Sequence, residues 1–413
     1  MNLRSTRLSR NAGSVLMVTL VTGVIIGIVL ASYLLLVRHQ NATVARSQAW
    51  NAALAMAEAG VEEAFAQVNV GMPKNRAAGT AWAVSRTIGS GQYDVSYAAY
   101  AADAAPIFYS TGRVTVPALG ATLVRVVRVK TTATPLFGAA LVASGDVNMN
   151  GNNVATDSYN STNSAYHGAE GDVVSLYGLV NVGNANINGD LLLGADNTNS
   201  LVGVTNSIKN NGSVSGTIAN DFNMDLVPAG MPADWNSFGA PTRMGKTSAY
   251  DYVPRFDGDY TLNSLSTSLL VTSNRHVRLL ITGDVKLNGS PGITIQQGGS
   301  LTVYMSGSSF SLSGNGSLNT DAAAAPKDFT LVGLPGNQDI SLSGNAAYVG
   351  TIYAPNSSLT LSGGGNPGDN TDFSGAAVVK TATMNGHFTF HYDTALPNDG
   401  IIRGYDAMIW EEL

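Results

Sequence analysis

Residues 341–364 read SLSGNAAYVGTIYAPNSSLTLSGG, and this stretch decides the fold class. In its last part Leu359 and Leu361 stand two apart, which puts both on one side of a strand. A Ser-Gly pair then turns the chain, because glycine tolerates φ > 0. The same unit, apolar–x–apolar–Asn/Ser–Gly, recurs on both sides. It reads VNMNG to Gly151, ANING to Gly189, VKLNG to Gly289, FSLSG to Gly314, ISLSG to Gly344, LTLSG to Gly363 and ATMNG to Gly386. A weaker copy, SVSG, ends at Gly216, and the last four intervals are 25, 30, 19 and 23 residues. One strand and turn per 20–30 residues is the pattern of a stacked coil whose turns cover one another's apolar faces. The uneven spacing argues for loops inserted between strands. A β-sandwich with hairpins at the Asn-Gly sites is the alternative. The motif is instead followed by small or polar residues and a further apolar strand, which favours a right-handed parallel β-helix over 136–396.

Composition agrees with a turn-rich β protein. Charged residues are 12% of the 413, apolar residues 44%, and there are 46 glycines and no cysteine. Disulfides and thiolate metal sites are therefore excluded. Residues 1–50 hold Arg4, Arg7, Arg10, Arg38 and Arg46 and no acid, leaving 17 basic and 28 acidic residues for the rest. An acidic body speaks against a nucleic-acid partner, which requires a basic face.

Between residues 11 and 37 no side chain is charged. The run 13–37, GSVLMVTLVTGVIIGIVLASYLLLV, exceeds the roughly 20 apolar residues that cross a bilayer as a helix. The preceding arginines place the N-terminus in the cytoplasm. A cleaved signal peptide has a shorter apolar core, so a retained helix is expected. Its continuation is amphipathic, with Trp50, Leu54, Ala57, Val61, Ala64 and Val68 on one stripe. The expected divisions are a basic leader at 1–13, a membrane span at 14–37 that contacts lipid, and an amphipathic extension at 38–70. A small β section follows at 71–135, then the β-helix at 136–396 and a tail at 397–413.

The basic leader, Gly13-Ser14-Val15-Leu16-Met17, the long apolar helix and Ala57-Glu58-Ala59-Gly60-Val61-Glu62-Glu63-Ala64 together resemble the N-terminus of PilX-type accessory pilins, which belong with type IV pilus and type II secretion components. The resemblance covers about residues 10–70. It implies a helix followed by antiparallel strands, other pilin-like subunits as partners of the helix, and processing between Gly13 and Ser14. Major pilins carry Gly-Phe at that site and a glutamate at the fifth mature position; here Ser14 and Val18 stand there. Further on, GTIYAPN at 350–356, LTLSGGG at 359–365, DFSGA at 372–376 and NGHFTFHYD at 385–393 resemble an uncharacterised family of predicted β-helical surface modules often found behind PilX-like anchors.

Between these regions, 71–89 reads as a linker containing Pro73. Strands are expected at 92–98, 109–116 and 121–131. Arg125, Arg128 and Lys130 read as solvated charges on an exposed sheet face.

Chemistry-bearing residues are few. His387 and His391 lie four apart in an alternating strand, about 13 Å from one another and too far to share a metal; Phe388 and Phe390 are expected inside and both histidines outside. The segment 368–372, GDNTD, has the composition of a calcium-loop fragment without the EF-hand pattern. Asp251, Asp257 and Asp259 form the densest acidic cluster, the residue type a polysaccharide-degrading β-helix would use. No nucleophile elbow is present. No cofactor and no enzyme activity are expected. The sequence reads as a single-pass inner-membrane protein that displays a β-helix in the periplasm or on the cell surface as an accessory pilin-like component. A glycan or matrix ligand is the further partner, and a membrane-tethered polysaccharide-binding or polysaccharide-degrading protein is the rival reading.

Overall fold

The computed structural model describes residues 12–75, 77–117, 119–151, 153–163, 165–195, 212–245, 248–289, 292–321, 323–364, 372–399 and 401–413. The chain is mainly β with one long N-terminal helix. Its first unit comprises Met1–Val70, Ala77–Ala133 and Tyr405–Leu413; its second comprises Gly71–Arg76 and Thr134–Gly404.

In the first unit the helix Ala12–Val68 runs 57 residues without a proline, about 85 Å at 1.5 Å per residue. It is long and apolar enough to cross a membrane. Its large apolar side chains between residues 15 and 36 are all exposed. The hydroxyls of Thr19, Thr22 and Ser32 donate back to the carbonyls of Leu16, Val18 and Ile28 at 2.8–2.9 Å. The polar groups of this stretch are thereby satisfied within the helix, as a lipid environment demands.

The later part of the helix packs on an antiparallel sheet of Trp82–Ile88, Gly91–Tyr97, Ile107–Thr115 and Thr122–Pro135, joined by the last strand, Ile401–Glu412. Ala49, Ala53, Ala57, Val61, Ala64 and Val68 are buried. The expected stripe is corrected at its start: Ala49 and Ala53 replace Trp50 and Leu54. The reason is close approach. Gly112 lies so near the helix that a Cβ there would stand 2.6 Å from the Ala57 nitrogen and closer still to the Ala53 carbonyl oxygen. Opposite Gly112, at residues 53 and 57, this leaves room for alanine. Trp50 turns outward, with the Arg125 guanidinium 4.8 Å over its ring.

Two boundary expectations also change. The supposed linker contains the edge strand Trp82–Ile88, whose apolar alternation stops after Val84 and whose last residues are exposed. The supposed tail contains the strand Ile401–Glu412. Asn69, just past the helix, anchors it: its side-chain NH₂ donates to the Tyr405 carbonyl at 3.2 Å and its side-chain oxygen accepts the Tyr405 N–H at 2.8 Å.

The second unit is built from parallel-paired strands in successive tiers. Leu269–Val271, His276–Ile281 and Val285–Gly289 pair with Gly292–Ile295, Ser300–Met305 and Ser309–Gly314. These in turn pair with Ser317–Leu318, Phe329–Gly333 and Asp339–Ser343. Ala347–Gly364 covers all three of the latter, and Phe373–Asp393 covers Ala347–Gly364. The next tier comes from far back in the chain. Phe373–Asp393 pairs in parallel with Leu141–Ala143, Val147–Asn148 and Val154–Tyr159. Val173–Ser175, Val180–Asn181 and Asn186–Ile187 pair with that tier, and Leu191–Gly194 and Ile218–Phe222 follow. Phe373–Asp393, late in the sequence, is thus an inner strand of the stack.

Inward side chains alternate with outward ones along strands such as Ser300–Met305 and Ser309–Gly314, whereas Phe329–Gly333 and the start of Phe373–Asp393 are buried on both faces. An aromatic column runs through the core: Phe329, Tyr348, Phe373 and Phe390 have successive ring centroids 5.6, 4.7 and 4.1 Å apart. Between the two runs of tiers, residues 223–243 return along the outside. The Tyr353 hydroxyl donates to the Val227 carbonyl, Trp235 meets Tyr304 edge-on at 5.8 Å, and Thr242–Arg243 pairs with Tyr252–Val253.

Candidate functional site

Most turn glycines of the repeat stack in one column in the second unit. Gly289, Gly314, Gly344 and Gly386 have φ between 70 and 85°, the left-handed region that glycine enters without cost. Gly151 and Gly363 do not. They are needed for space, since a Cβ at Gly363 would press on the Gly344 carbonyl and one at Gly151 would lie 2.5 Å from that of Gly386. Gly189 belongs to another column, against Gly171 and Asp172.

Beside this glycine column the strand register aligns small polar side chains. Lys286 lies beside Ser311, Ser311 beside Ser341, Ser341 beside Thr360, Thr360 beside Thr383, Thr383 beside Asn148, and Asn148 beside Asn181. Two residues further along the strands, Asn288 pairs with Ser313, and Ser343 with Ser362, which pairs with Asn385. From Ser311 to Asn181 both columns are uncharged. Neighbours are about 4.8 Å apart across strands and about 6.6 Å along them. Members bond to one another, the Ser313 hydroxyl to the Asn288 side-chain oxygen at 2.6 Å and the Asn181 side-chain NH₂ to the Asn148 side-chain oxygen at 3.3 Å. Ser313 and Asn181 use their donors in such bonds and keep acceptor lone pairs. The two columns form a regular field of neutral hydrogen-bonding groups.

The acidic cluster does not converge. Asp251 bonds the Ser268 hydroxyl at 3.0 Å, and Asp257 pairs with Arg275 at 3.5 Å. Asp259, 2% exposed, takes Arg278 Nε and Nη2 at 2.5 and 2.9 Å. Arg278 also reaches Asp234 at 2.9 Å and lies 5.8 Å over the Trp235 ring. These carboxylates hold its guanidinium charged, pushing its pKa up. The cluster fastens the returning segment to the tiers.

A repeated feature that the motif reading passed over is Gly-Asp followed by an apolar residue, at 145–146, 171–172, 189–190, 258–259 and 283–284. Asp146, Asp172 and Asp190 accept the backbone N–H of Leu179, Asp190 and Thr217 at 2.7–2.8 Å, and Asp284 that of Ser309 at 3.2 Å. Each bond closes a corner onto the next tier. Burial pushes the Asp172 carboxyl above its usual range. The regular Gly-Asp spacing was the signal available in the sequence.

Of the two histidines, His387 is exposed and bonds Asn153. His391 departs from expectation: it is buried, its Nδ1 2.5 Å from Asp157 Oδ1. Phe388 and Phe390 are buried as expected. In the calcium-like segment, residues 365–371 lie outside the described residues, and Asp372 accepts the Thr389 N–H. No metal-ligating cluster occurs among the described residues. Arg125 and Arg128 are ion-paired with Glu412 and Glu411.

In the first unit the AEAGVEEA stretch acquires a structural meaning. Ala57, Gly60, Val61 and Ala64 face the sheet, whereas Glu58 and Glu62 are exposed. Glu63 receives Arg86 Nε at 2.7 Å and the Tyr93 hydroxyl at 2.6 Å. These bonds hold its carboxyl below the usual range. Gly13 and Ser14 lie in the first turn of the helix.

No curated protein and no solved structure matches the chain. Residues 250–399 match a family described as a domain of unknown function, DUF7305. That match takes in the second run of tiers, from Tyr252–Val253 to Phe373–Asp393, and leaves the tiers at 141–222 outside it.

Proposed function

We propose that the protein is a membrane-anchored, pilin-like structural component whose body is a right-handed parallel β-helix displayed outside the cytoplasm. The observation that carries this reading is the two-part helix. Its first half is apolar and exposed around its circumference, and its second half lies on an antiparallel sheet through a seam of alanines and glycine. That division suits an element held in lipid, or among other helices, that presents a folded body at its far end. The tiered parallel pairing and the near-universal right hand of parallel connections support the β-helix. The neutral Ser, Thr and Asn columns suit adhesion to a glycan or matrix.

N-terminal sequencing of protein isolated from membranes tests the pilin-like part. A chain beginning at Ser14 supports it, and the PilX-type accessory role would then be tested by co-purification with a pilus. A chain beginning at Met1 in a strain that processes its other pilins would reduce the helix to a permanent anchor. Adhesion is tested by comparing the full chain with one ending at Pro135; equal binding by both would remove the polar face from the function.

A further inference from the structure

Inside the second unit an inward side chain is covered by the tier before it and the tier after it. One end of the stack departs from this. Leu331, Val303, Leu279 and Tyr260 are successive register partners in one inward column, and none is more than 4% exposed. The column continues into Phe238 on the returning segment. Its backbone N–H donates to the Asp259 carbonyl at 2.7 Å, and its ring centroid lies 5.8 Å from that of Tyr260. Yet Phe238 is 62% exposed. Ser237 bridges to Asp259, and no strand pairs with the far side of residues 237–239 among the described residues.

A second aromatic is fixed at the same end. Phe256 is 65% exposed. The Tyr260 hydroxyl accepts the Phe256 N–H and donates to the Phe256 carbonyl, both at 3.1 Å. Gly258 makes room for the arrangement: its φ is 128°, and a Cβ there would stand 2.6 Å from the Phe238 ring. Both phenylalanines are therefore held in place without being covered. The terminal tier of a stack needs a polar outer face to stay soluble, and an open strand edge invites pairing. Here the end presents two large apolar rings.

The charges beside these rings say what covers them. Phe256 is flanked by Arg255 and Asp257. Asp257 is half exposed and meets Arg275 only at 3.5 Å, and Arg255 has no ion pair among the described residues. A base and an acid on either side of one aromatic make the end self-complementary. Turned about a two-fold axis, residues 255–257 of a second copy bring its Asp257 to Arg255 and its Arg255 to Asp257. The same rotation lays its Phe238 over this one and adds the missing tier to the column. We propose that this end of the stack binds the same end of a second copy, head to head, with Phe238 and Phe256 of each chain covering those of the other. The contact rests on the tiered pairing alone, whether the helix is an anchor or part of a filament.

The chain has no cysteine, so single introduced thiols can be joined by a short bismaleimide in membranes of cells expressing the full chain. Ala240→Cys reports this end, and Ser215→Cys, equally exposed, reports the tier at 213–222. A cross-linked pair is expected from Ala240→Cys and none from Ser215→Cys. The Ala240→Cys product should fall about tenfold or more when Phe238→Ser or Phe256→Ser is added. Both rings are mostly exposed, so these variants keep the fold. Absence of the Ala240→Cys pair, an undiminished pair in both serine variants, or an equal pair from Ser215→Cys would each overturn the proposal. So would a product that forms only when Ala240→Cys and Ser215→Cys chains are mixed, which marks head-to-tail stacking, or one that joins Ala240→Cys to a different protein instead of a second copy.

Discussion

Replacing Gly112 by alanine adds one methyl group at the tightest point between the helix and its sheet. Gly112 pairs with Tyr93 on one side and Arg125 on the other, so its backbone is held from both directions. The new Cβ would lie 3.0 Å from Met56 Cβ, 2.6 Å from the Ala57 nitrogen, and nearer still to the Ala53 carbonyl. Two of these three are backbone atoms of a helix and cannot rotate away. Carbon contacts relax at about 3.5–4 Å, so helix and strand must part locally by about 1 Å. The overpacking costs about 1–3 kcal/mol. The reduced freedom of the unfolded chain returns about 0.4–1 kcal/mol. A net loss of about 1.3 kcal/mol is expected, or roughly 4–8 °C in the melting temperature of a unit of this size. Tryptophan fluorescence in detergent reads it, in a Trp235→Phe background, because Trp50, Trp82 and Trp410 then report the first unit alone. Gly23→Ala, with nothing within 4 Å of the added atom, is the matched control and should not lower the melt. A Gly112→Ala chain that melts with the wild type would refute the seam.

Other consequences follow from the same geometry. Arg278→Ala leaves Asp259 buried without its cation, so a loss of about 3–5 kcal/mol in urea unfolding of the second unit is expected. Phe373→Ala removes the middle of the aromatic column and should cost about 3–5 kcal/mol by the same measurement. The Glu63 carboxyl has a folded pKa below its unfolded one. Its contribution is therefore present above about pH 4.3 and lost as pH falls through the folded value; Glu63→Gln should flatten that part of the acid-melting profile. Asp172 has the opposite sign, its folded pKa being raised by burial. Asp172→Asn should melt at or above the wild type at pH 7, and the difference should vanish below about pH 3.9, where both states are protonated.

Local chemistry made much of this legible in the sequence. The apolar run marks the helix because nothing else tolerates that many exposed apolar residues. The strands at 92–98, 109–116 and 121–131 lie within one to four residues of Gly91–Tyr97, Ile107–Thr115 and Thr122–Pro135, since β-branched alternation is a local signal. What escaped was set by distant partners. Trp82–Ile88 is an edge strand whose outward residues carry no hydrophobic period. Ile401–Glu412 is a strand because Asn69 and the Thr122–Pro135 strand receive it. The pairing of Phe373–Asp393 with a tier more than 200 residues earlier depends on matching apolar faces, which every tier shares, so periodicity alone could not order the stack. His391 was expected outside because alternation places it opposite Phe390; Asp157 and its surroundings cover it.

The central claim, that the exposed apolar half of the helix holds the body at a membrane, is tested most directly by fractionating cells that express the full chain and a chain lacking residues 14–37. The full chain is expected in membranes after alkaline carbonate washing, with its β domain digested by protease added outside spheroplasts, and the truncated chain in the soluble fraction. Recovery of the full chain in the soluble fraction, or protection of its β domain until the spheroplasts are lysed, would contradict the claim.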